Sequence, residues 1–191
     1  MPVTLPSPPL ESVSALSDAL ETGGFSTRGY LATADPPQRW IPQKLFTAFV
    51  QDLAAGTPVV ACAREVGWRY VMPQAFAEPV SAEVRVDTAG QHVVDHFAQG
   101  PQSAQTLAFT RQILDDPQWA GDQYTLQVLL VSALYVMALW VRHADPDRDW
   151  FVPLGPGDER LATGQYYDAG RFNAILFDLA KIRINQPTPD A

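Results

Sequence analysis

The stretch 124–141, YTLQVLLVSALYVMALWV, constrains the fold most, because its only clearly polar residues are Thr125, Gln127 and Ser132. A transmembrane helix needs about 20 predominantly apolar residues to cross roughly 30 Å of hydrocarbon, so the length alone allows a membrane span. The first half, however, alternates apolar and polar residues, which is typical of a half-buried strand. We therefore expect core strands here, and a bilayer protein is the least favoured alternative.

Composition and charge restrict the class of partner. The 191 residues are 47% hydrophobic and 18% charged, a globular balance that suffices for one domain with a sizeable core. The chain has 13 Lys and Arg and 21 Asp and Glu, which gives a net charge of −8, and the basic residues are scattered along the sequence. Clustered basic residues supply much of the affinity for nucleic acids and anionic membranes. We therefore expect neither nucleic acid nor a membrane among the partners.

A single cysteine, Cys62, excludes an intramolecular disulfide and a Cys-x-x-Cys metal site, and it indicates a reducing compartment. The N-terminal sequence MPVTLPSPPL lacks the basic and apolar regions of a signal peptide. We expect a cytoplasmic, soluble protein that needs no cofactor.

The spacing of apolar residues predicts four helices, at residues 9–22, 42–56 and 101–115 and from the N-cap Asp168 onwards. The last helix has the most regular stripe, which we expect to be buried: Phe172, Ile175, Leu176, Leu179 and Ile182. Besides 124–141, extended segments are predicted at residues 25–33, 59–61, 68–72, 82–86, 92–97 and 150–152.

Helices at both ends, with hairpin-linked strands between them, indicate an α+β fold. We expect a mainly antiparallel sheet flanked by N-terminal, central and C-terminal helices. A single globular domain is expected over residues 1–191, with a flexible lead-in at 1–8 and a flexible tail at 186–191. The Pro-bounded segment 73–79 is the one place where two lobes could be joined.

The segment 92–96, HVVDH, is the first candidate site. Its spacing echoes the His-x-x-Glu-His zinc motif, with Asp95 in place of Glu. Three observations weaken this interpretation: the Asp is one carbon shorter, the β-branched residues favour a strand, and zinc needs a third ligand. On a strand, His92 and His96 point to one side and Asp95 to the other. Two half-exposed strand histidines are the favoured interpretation.

The segment 143–149, HADPDRD, is the second candidate, because alternate carboxylates can converge on a hard cation. Its candidate metal ligands are His143, Asp145, Asp147 and Asp149. An EF-hand would need Gly where Trp150 stands and an acidic ligand where Pro156 stands. A solvated turn between two apolar strands explains these residues equally well.

Cys62 is a candidate nucleophile if a histidine meets it in space. Because it stands in the small apolar run 59–63, we expect it to be buried in a strand. The Gly-rich loop 155–160 is disfavoured as a phosphate cradle, since Pro156 removes a backbone donor and acids follow. Trp40 and Trp119 have polar neighbours and are the expected surface pair.

These observations leave two hypotheses about function. The first is a non-catalytic protein-interaction or structural domain that self-associates through exposed apolar surface or binds an unidentified protein. The second is a hydrolase, which would be metal-dependent through His92, Asp95 and His96 or thiol-dependent through Cys62. Whether the chain is an enzyme therefore stays open at this point.

Overall fold

A computed structural model of the chain describes residues 3–22, 39–73 and 78–186. Its strands are β1 (Val3–Thr4), β2 (Ile41–Thr47), β3 (Arg64–Met72), β4 (Val80–Val86), β5 (His92–Gln99), β6 (Tyr124–Val131), β7 (Val136–Arg142), β8 (Trp150–Leu154) and β9 (Tyr167–Asp168). Its α-helices are α1 (Leu10–Thr22), α2 (Val50–Ala54), α3 (Val59–Cys62), α4 (Pro101–Asp115) and α5 (Ala169–Asn185). Short 3₁₀ helices occur at Pro117–Trp119, Ser132–Leu134 and Pro146–Arg148.

The nine strands form one sheet in the order β5-β4-β3-β2-β6-β7-β8-β9, with β1 beside β6. Both β1 and β2 run parallel to β6, and the other neighbours are antiparallel. The predicted α+β class with a mainly antiparallel sheet is confirmed.

The stretch 124–141 forms β6 and β7, which pair from Thr125 opposite Arg142 to Val131 opposite Val136. The prediction of core strands is therefore confirmed. Gln127 is buried as well, so the alternation does not mark a solvent-facing side. No helix within the described residues is long and apolar enough to span a bilayer.

Both faces of the central sheet are covered. On one face, Phe172 and Leu176 of α5 pack with Phe151 and Trp140, and the rings of Phe151 and Phe172 stack at 4.2 Å. On the other face, Ile113 of α4 packs in a separate cluster with the side chains of β6 and β7. Two covered faces explain why these strands are apolar along nearly their whole length.

The predicted helix at 42–56 is wrong, because β2 and the short α2 occupy this region. Leu45 and Phe46 are consecutive but belong to clusters on opposite faces of the sheet, which is the period-2 geometry of a strand. The strand predicted at 59–61 is also wrong. Residues after Pro58 form the one-turn helix α3, and Asn173 Oδ1 accepts the Val59 N–H at 2.7 Å.

The helices predicted at 9–22, at 101–115 and after Asp168 are confirmed, as is the hairpin of 82–86 with 92–97. The lead-in 1–8 contains β1, whose Val3 is buried. The segment 25–33, most of 73–79 and most of the tail 186–191 lie outside the described residues.

Two predictions of exposure are corrected. Trp40 and Trp119 are 8% and 4% exposed and do not form a surface pair, because each packs edge-on against a tyrosine ring. Ile182 is 50% exposed, so the buried stripe of α5 ends before it.

Candidate functional site

A row of charged residues crosses three strands at the β5 side of the sheet. Arg69 on β3 lies opposite Glu83 on β4, and Glu83 lies opposite His96 on β5. Directly opposite residues on neighbouring strands share a face, so their side chains can meet. Arg69 Nη1 donates to Glu83 Oε1 at 2.9 Å, and both side chains are buried.

The network extends to the more exposed residues of the β4–β5 hairpin. Arg85 Nη2 donates to Glu83 Oε2 at 3.1 Å, and Arg85 Nε lies 3.0 Å from Asp95 Oδ2. His96 lies between the two acids, with Nε2 3.8 Å from Glu83 Oε1 and Nδ1 3.5 Å from Asp95 Oδ2. Both carboxylates are therefore neutralised mainly by arginine.

A β-bulge brings Asp95 to the same side as His96. Glu83 pairs with His96 and Val84 pairs with Val94, which leaves Asp95 as the extra residue of β5. Val94 and Phe97 consequently both contact the cluster around Leu16 on the α1 side, although they are three positions apart. The prediction that Asp95 points away from His96 is wrong, because a bulge shifts the alternation by one residue.

His92 does not join this network. It lies opposite Val86 near the turn of the hairpin, and its Nδ1 has no hydrogen-bond partner among the described residues. The structure thus brings together Asp95 and His96 but adds Glu83, Arg69 and Arg85, which the sequence analysis missed. A signal was present, because Arg69 is flanked by the apolar residues Trp68, Tyr70 and Val71 and Glu83 stands between Ala82 and Val84, and buried charged residues are rarely unpaired.

Within the described residues, Glu83, Asp95 and His96 are the only group of three potential metal ligands whose ligating atoms lie within 4.8 Å of one another. Both oxygens of Glu83 already accept from guanidinium groups. A divalent cation there would lie beside two fixed positive charges, and the low-dielectric surroundings strengthen that repulsion. The arrangement favours an ion-pair network over a metal centre.

The electrostatics of Arg69 follow from its burial. Burial lowers the pKa of its guanidinium, and the charge and hydrogen bond of Glu83 oppose that shift. A buried charge is tolerated when a partner of opposite charge is fixed beside it. The pair therefore tends to hold β3 and β4 in one register.

The four candidate ligands in 143–149 have separate roles and do not converge on one point. Asp149 is buried and accepts from Trp140 Nε1 at 2.8 Å and from the His143 N–H at 2.7 Å. Burial raises the pKa of the Asp149 carboxyl, although these two hydrogen bonds oppose the shift. Asp145 accepts from the Asp147 N–H at 3.2 Å and donates its own N–H to His143 Nδ1 at 2.9 Å. The acids thus order the connection between β7 and β8.

Cys62 is buried, as predicted, but in α3 instead of a strand. Its thiol lies 3.8 Å from the carbonyl oxygen of Val59, and none of the described hydrogen bonds joins it to a histidine. Burial raises the pKa of this thiol, and the charge of Asp52 adds to the shift. A raised pKa leaves little thiolate at neutral pH, which disfavours a nucleophile.

The end of the β6–β7 hairpin carries an exposed aromatic residue. Tyr135 is 77% exposed and has φ 53° and ψ 33°, the left-handed region that favours glycine. It lines a groove of about 780 Å³ whose other walls include Leu134 and Met137. The exposed aromatic ring and the left-handed backbone are both unfavourable, so the stability of the fold is not optimised at Tyr135.

The outer side of β5 is an open sheet edge in the part of the chain that the structure describes, since β4 is its only strand partner there. Val93 is 41% exposed, and Asp95 and His96 are about half exposed. Unpaired N–H and C=O groups along such an edge can pair with another strand.

Comparison with protein-family models, with curated proteins and with solved structures found no match for this chain.

Proposed function

We propose that the protein is a non-catalytic interaction domain that self-associates, with β5 of one copy paired antiparallel to β5 of a second copy. The observation that carries the proposal is the self-complementary pattern of β5. Each half of its eight residues, HVVD and HFAQ, has a polar residue at both ends and two apolar residues between them. A twofold axis between Asp95 and His96 matches each half of the strand with the other.

The register of this pairing follows from that axis. Asp95 of each copy lies opposite His96 of the other, and Val94 lies opposite Phe97. Val93 then lies opposite Ala98. Opposite charges and apolar pairs across an antiparallel ladder each contribute about 0.2–1 kcal/mol, whereas like charges directly opposite are unfavourable. The twofold register provides apolar pairs and places each Asp95 carboxylate opposite an imidazole, and main-chain hydrogen bonds add a ladder on either side of the bulge.

One feature of β5 opposes this assembly. The bulge at Asp95 interrupts the regular spacing, and natural sheets use bulges to discourage pairing at their edges. The proposal requires that the ladders on either side of Asp95 outweigh the interruption. If the protein stays monomeric at high concentration, the bulge at Asp95 prevents pairing through β5 and the proposal is wrong.

The alternative is a metal-dependent hydrolase, which the proximity of Glu83, Asp95 and His96 favours. The arginine partners of both acids argue against it, because they compete directly with a cation. The thiol-dependent version has less support, since burial raises the pKa of Cys62. The lone thiol is expected to stay reduced, so we propose a cytoplasmic location for the assembly.

Sedimentation equilibrium over a wide range of protein concentration tests the proposal. We expect a reversible monomer–dimer equilibrium, and Val93→Lys should weaken dimerisation by about tenfold or more, because lysine on an edge strand blocks pairing. Val86→Lys is the matched control. Val86 is 52% exposed, and the substitution adds the same charge on β4, away from the outer edge of the sheet. Equal effects of the two variants would contradict pairing through β5.

Native mass spectrometry separates the two candidate functions in one measurement. A dimer without bound transition metal supports the interaction domain. A stoichiometric metal that Asp95→Asn and His96→Gln each remove would support the hydrolase and overturn the proposal.

A further inference from the structure

Helix α1 packs mainly on the edge strand β5, and one of its flanks is turned towards the middle of the sheet. Leu16 is fully buried in the cluster that Val94 and Phe97 of β5 also contact. Ser12 is fully buried as well, and its Oγ accepts from the hydroxyl of Tyr70 at 2.7 Å. Because Tyr70 belongs to β3, the flank of α1 that carries Ser12 faces away from the open edge of the sheet.

The other flank of α1 faces the open edge of β5 and carries a mainly apolar stripe. Its members have the three-four-three spacing of a coiled-coil seam: Leu10, Val13, Ser17 and Leu20. At about 3.6 residues per turn, the stripe lies about a quarter turn from Leu16, on the side opposite to Ser12. Leu10 is 83% exposed, and Val13 and Leu20 are only partly buried. Three apolar side chains are thus left partly uncovered beside the edge at which β5 has no strand partner in the described ranges.

Pairing of β5 with β5 of a second copy places a second α1 beside this stripe. Helix α1 packs on both β4 and β5, so its axis lies near the gap between these two strands. Neighbouring strands are about 4.8 Å apart, and two α1 helices related by the twofold axis are then separated by two strand spacings, about 10 Å. Packed helices lie about 8–10 Å apart. The two helices run antiparallel, because a twofold axis normal to the sheet reverses every direction in its plane.

We infer that the α1 helices of two copies pack antiparallel against each other and form a second layer of the self-association interface. The inference rests on the β5 pairing proposed above. The twofold axis passes between Val94 and Phe97, which contact the same cluster as Leu16 near the middle of α1. Leu10 of each copy then meets Leu20 of the other, and the stripe that one copy leaves uncovered is covered by its symmetry mate.

Substitution of Leu10 tests the contact between the helices. In sedimentation equilibrium of the full chain, Leu10→Ser should raise the dissociation constant of the dimer by about tenfold or more, because each dimer loses two buried leucine contacts. Leu10 is 83% exposed in a single copy, so the melting temperature of the monomer should not change. Ile184→Ser is the matched control, since Ile184 is 48% exposed on α5, which packs over β7 and β8.

Cysteine cross-linking tests the antiparallel register, in which Val13 of one copy faces Ser17 of the other. Mild oxidation of an equimolar mixture of the Val13→Cys and Ser17→Cys proteins should give a covalent mixed dimer, which intact mass spectrometry identifies. Ser14→Cys takes the place of Ser17→Cys in the control mixture, because Ser14 is exposed on the side of α1 away from the sheet. The natural thiol of Cys62 is buried and should not react.

The outcomes separate the helix contact from the β5 pairing. A dimer that Val93→Lys weakens but Leu10→Ser leaves unchanged would overturn the helix contact and retain the β5 pairing. A dimer that Leu10→Ser weakens but Val93→Lys does not would overturn the β5 pairing and retain the helix contact. Equal cross-linking through Ser14→Cys and Ser17→Cys would overturn the antiparallel register, and a chain that stays monomeric would overturn both proposals.

Discussion

Arg69 and Glu83 form a directly opposed cross-strand ion pair in which both side chains are only 2% exposed and Nη1 lies 2.9 Å from Oε1. Two charges removed from water in this way stabilise a fold only weakly, because the desolvation cost offsets much of their attraction. Removing Glu83 has a much larger effect, since Arg69 has no other ion-pair partner among the described residues and is left buried alone.

Glu83→Leu should therefore lower the free energy of unfolding by about 3–5 kcal/mol, the usual cost of an unpaired buried charge, whereas Arg69→Met should cost less because Glu83 keeps Arg85. The double variant Arg69→Met/Glu83→Leu should recover much of that loss, because it removes both charges. Chemical denaturation of the wild type, both single variants and the double variant measures the coupling. Additive effects would contradict a direct pair.

The buried carboxyl of Asp149 should make the free energy of unfolding depend on pH. Burial raises the pKa of its carboxyl above the ordinary value of 3.8. A folded-state pKa above the unfolded one means that the folded protein binds the proton more tightly. The contribution of Asp149 to stability is then greatest below the unfolded pKa and is lost as pH rises through the raised one.

Asp149→Asn removes this titration and one of the two acceptors for Trp140 Nε1 and the His143 N–H. It should lower the free energy of unfolding by about 1–3 kcal/mol near pH 7. The difference from wild type should widen as pH falls from neutral towards 3.8. Urea denaturation of both proteins at several pH values measures this difference in stability. A difference that narrows at low pH would mean that folding lowers the pKa of Asp149 instead of raising it.

Substitutions at Leu176 and Ile182 of α5 test which face of this helix packs on the sheet, with Ile182 as the exposed control. Leu176 is fully buried against the sheet, whereas Ile182 is 50% exposed. Leu176→Ala should lower the free energy of unfolding by about 2–5 kcal/mol, the range for a buried leucine. Ile182→Ala should change stability little. If Leu176→Ala left the melting temperature unchanged but altered the oligomeric state, α5 would be a binding element instead.

Some elements could be predicted because their signals are local. The β4–β5 turn contains Gly90 at φ 79°, and the Asp87 carboxylate accepts from two N–H groups of the turn. Asp168 caps α5 by accepting from the Arg171 N–H. By contrast, β2 lies between two covered faces, and its consecutive apolar residues Leu45 and Phe46 continue into Phe49, Val50 and Leu53 at a spacing that also fits a helix.

The charged row could not be predicted in full, because its geometry depends on strand register. Arg69 and Glu83 stand on different strands, and only the pairing of β3 with β4 makes them neighbours. The bulge at Asp95 likewise arises from the pairing of β4 with β5. The segment 92–96 suggested a site, but the arginines that neutralise it lie elsewhere in the sequence.

Tyr135 provides a test of whether a residue is kept at a cost to stability. A side chain in the left-handed region costs about 1–2 kcal/mol, and glycine there loses about 0.5–1 kcal/mol through its greater freedom when unfolded. Tyr135→Gly should therefore raise the free energy of unfolding by up to about 1 kcal/mol, whereas Tyr135→Ala should not, since alanine keeps the strain. Thermal melts of both variants measure this. If glycine destabilises as much as alanine does, the tyrosine ring contributes packing at the rim of its groove, and the strained backbone is compensated locally.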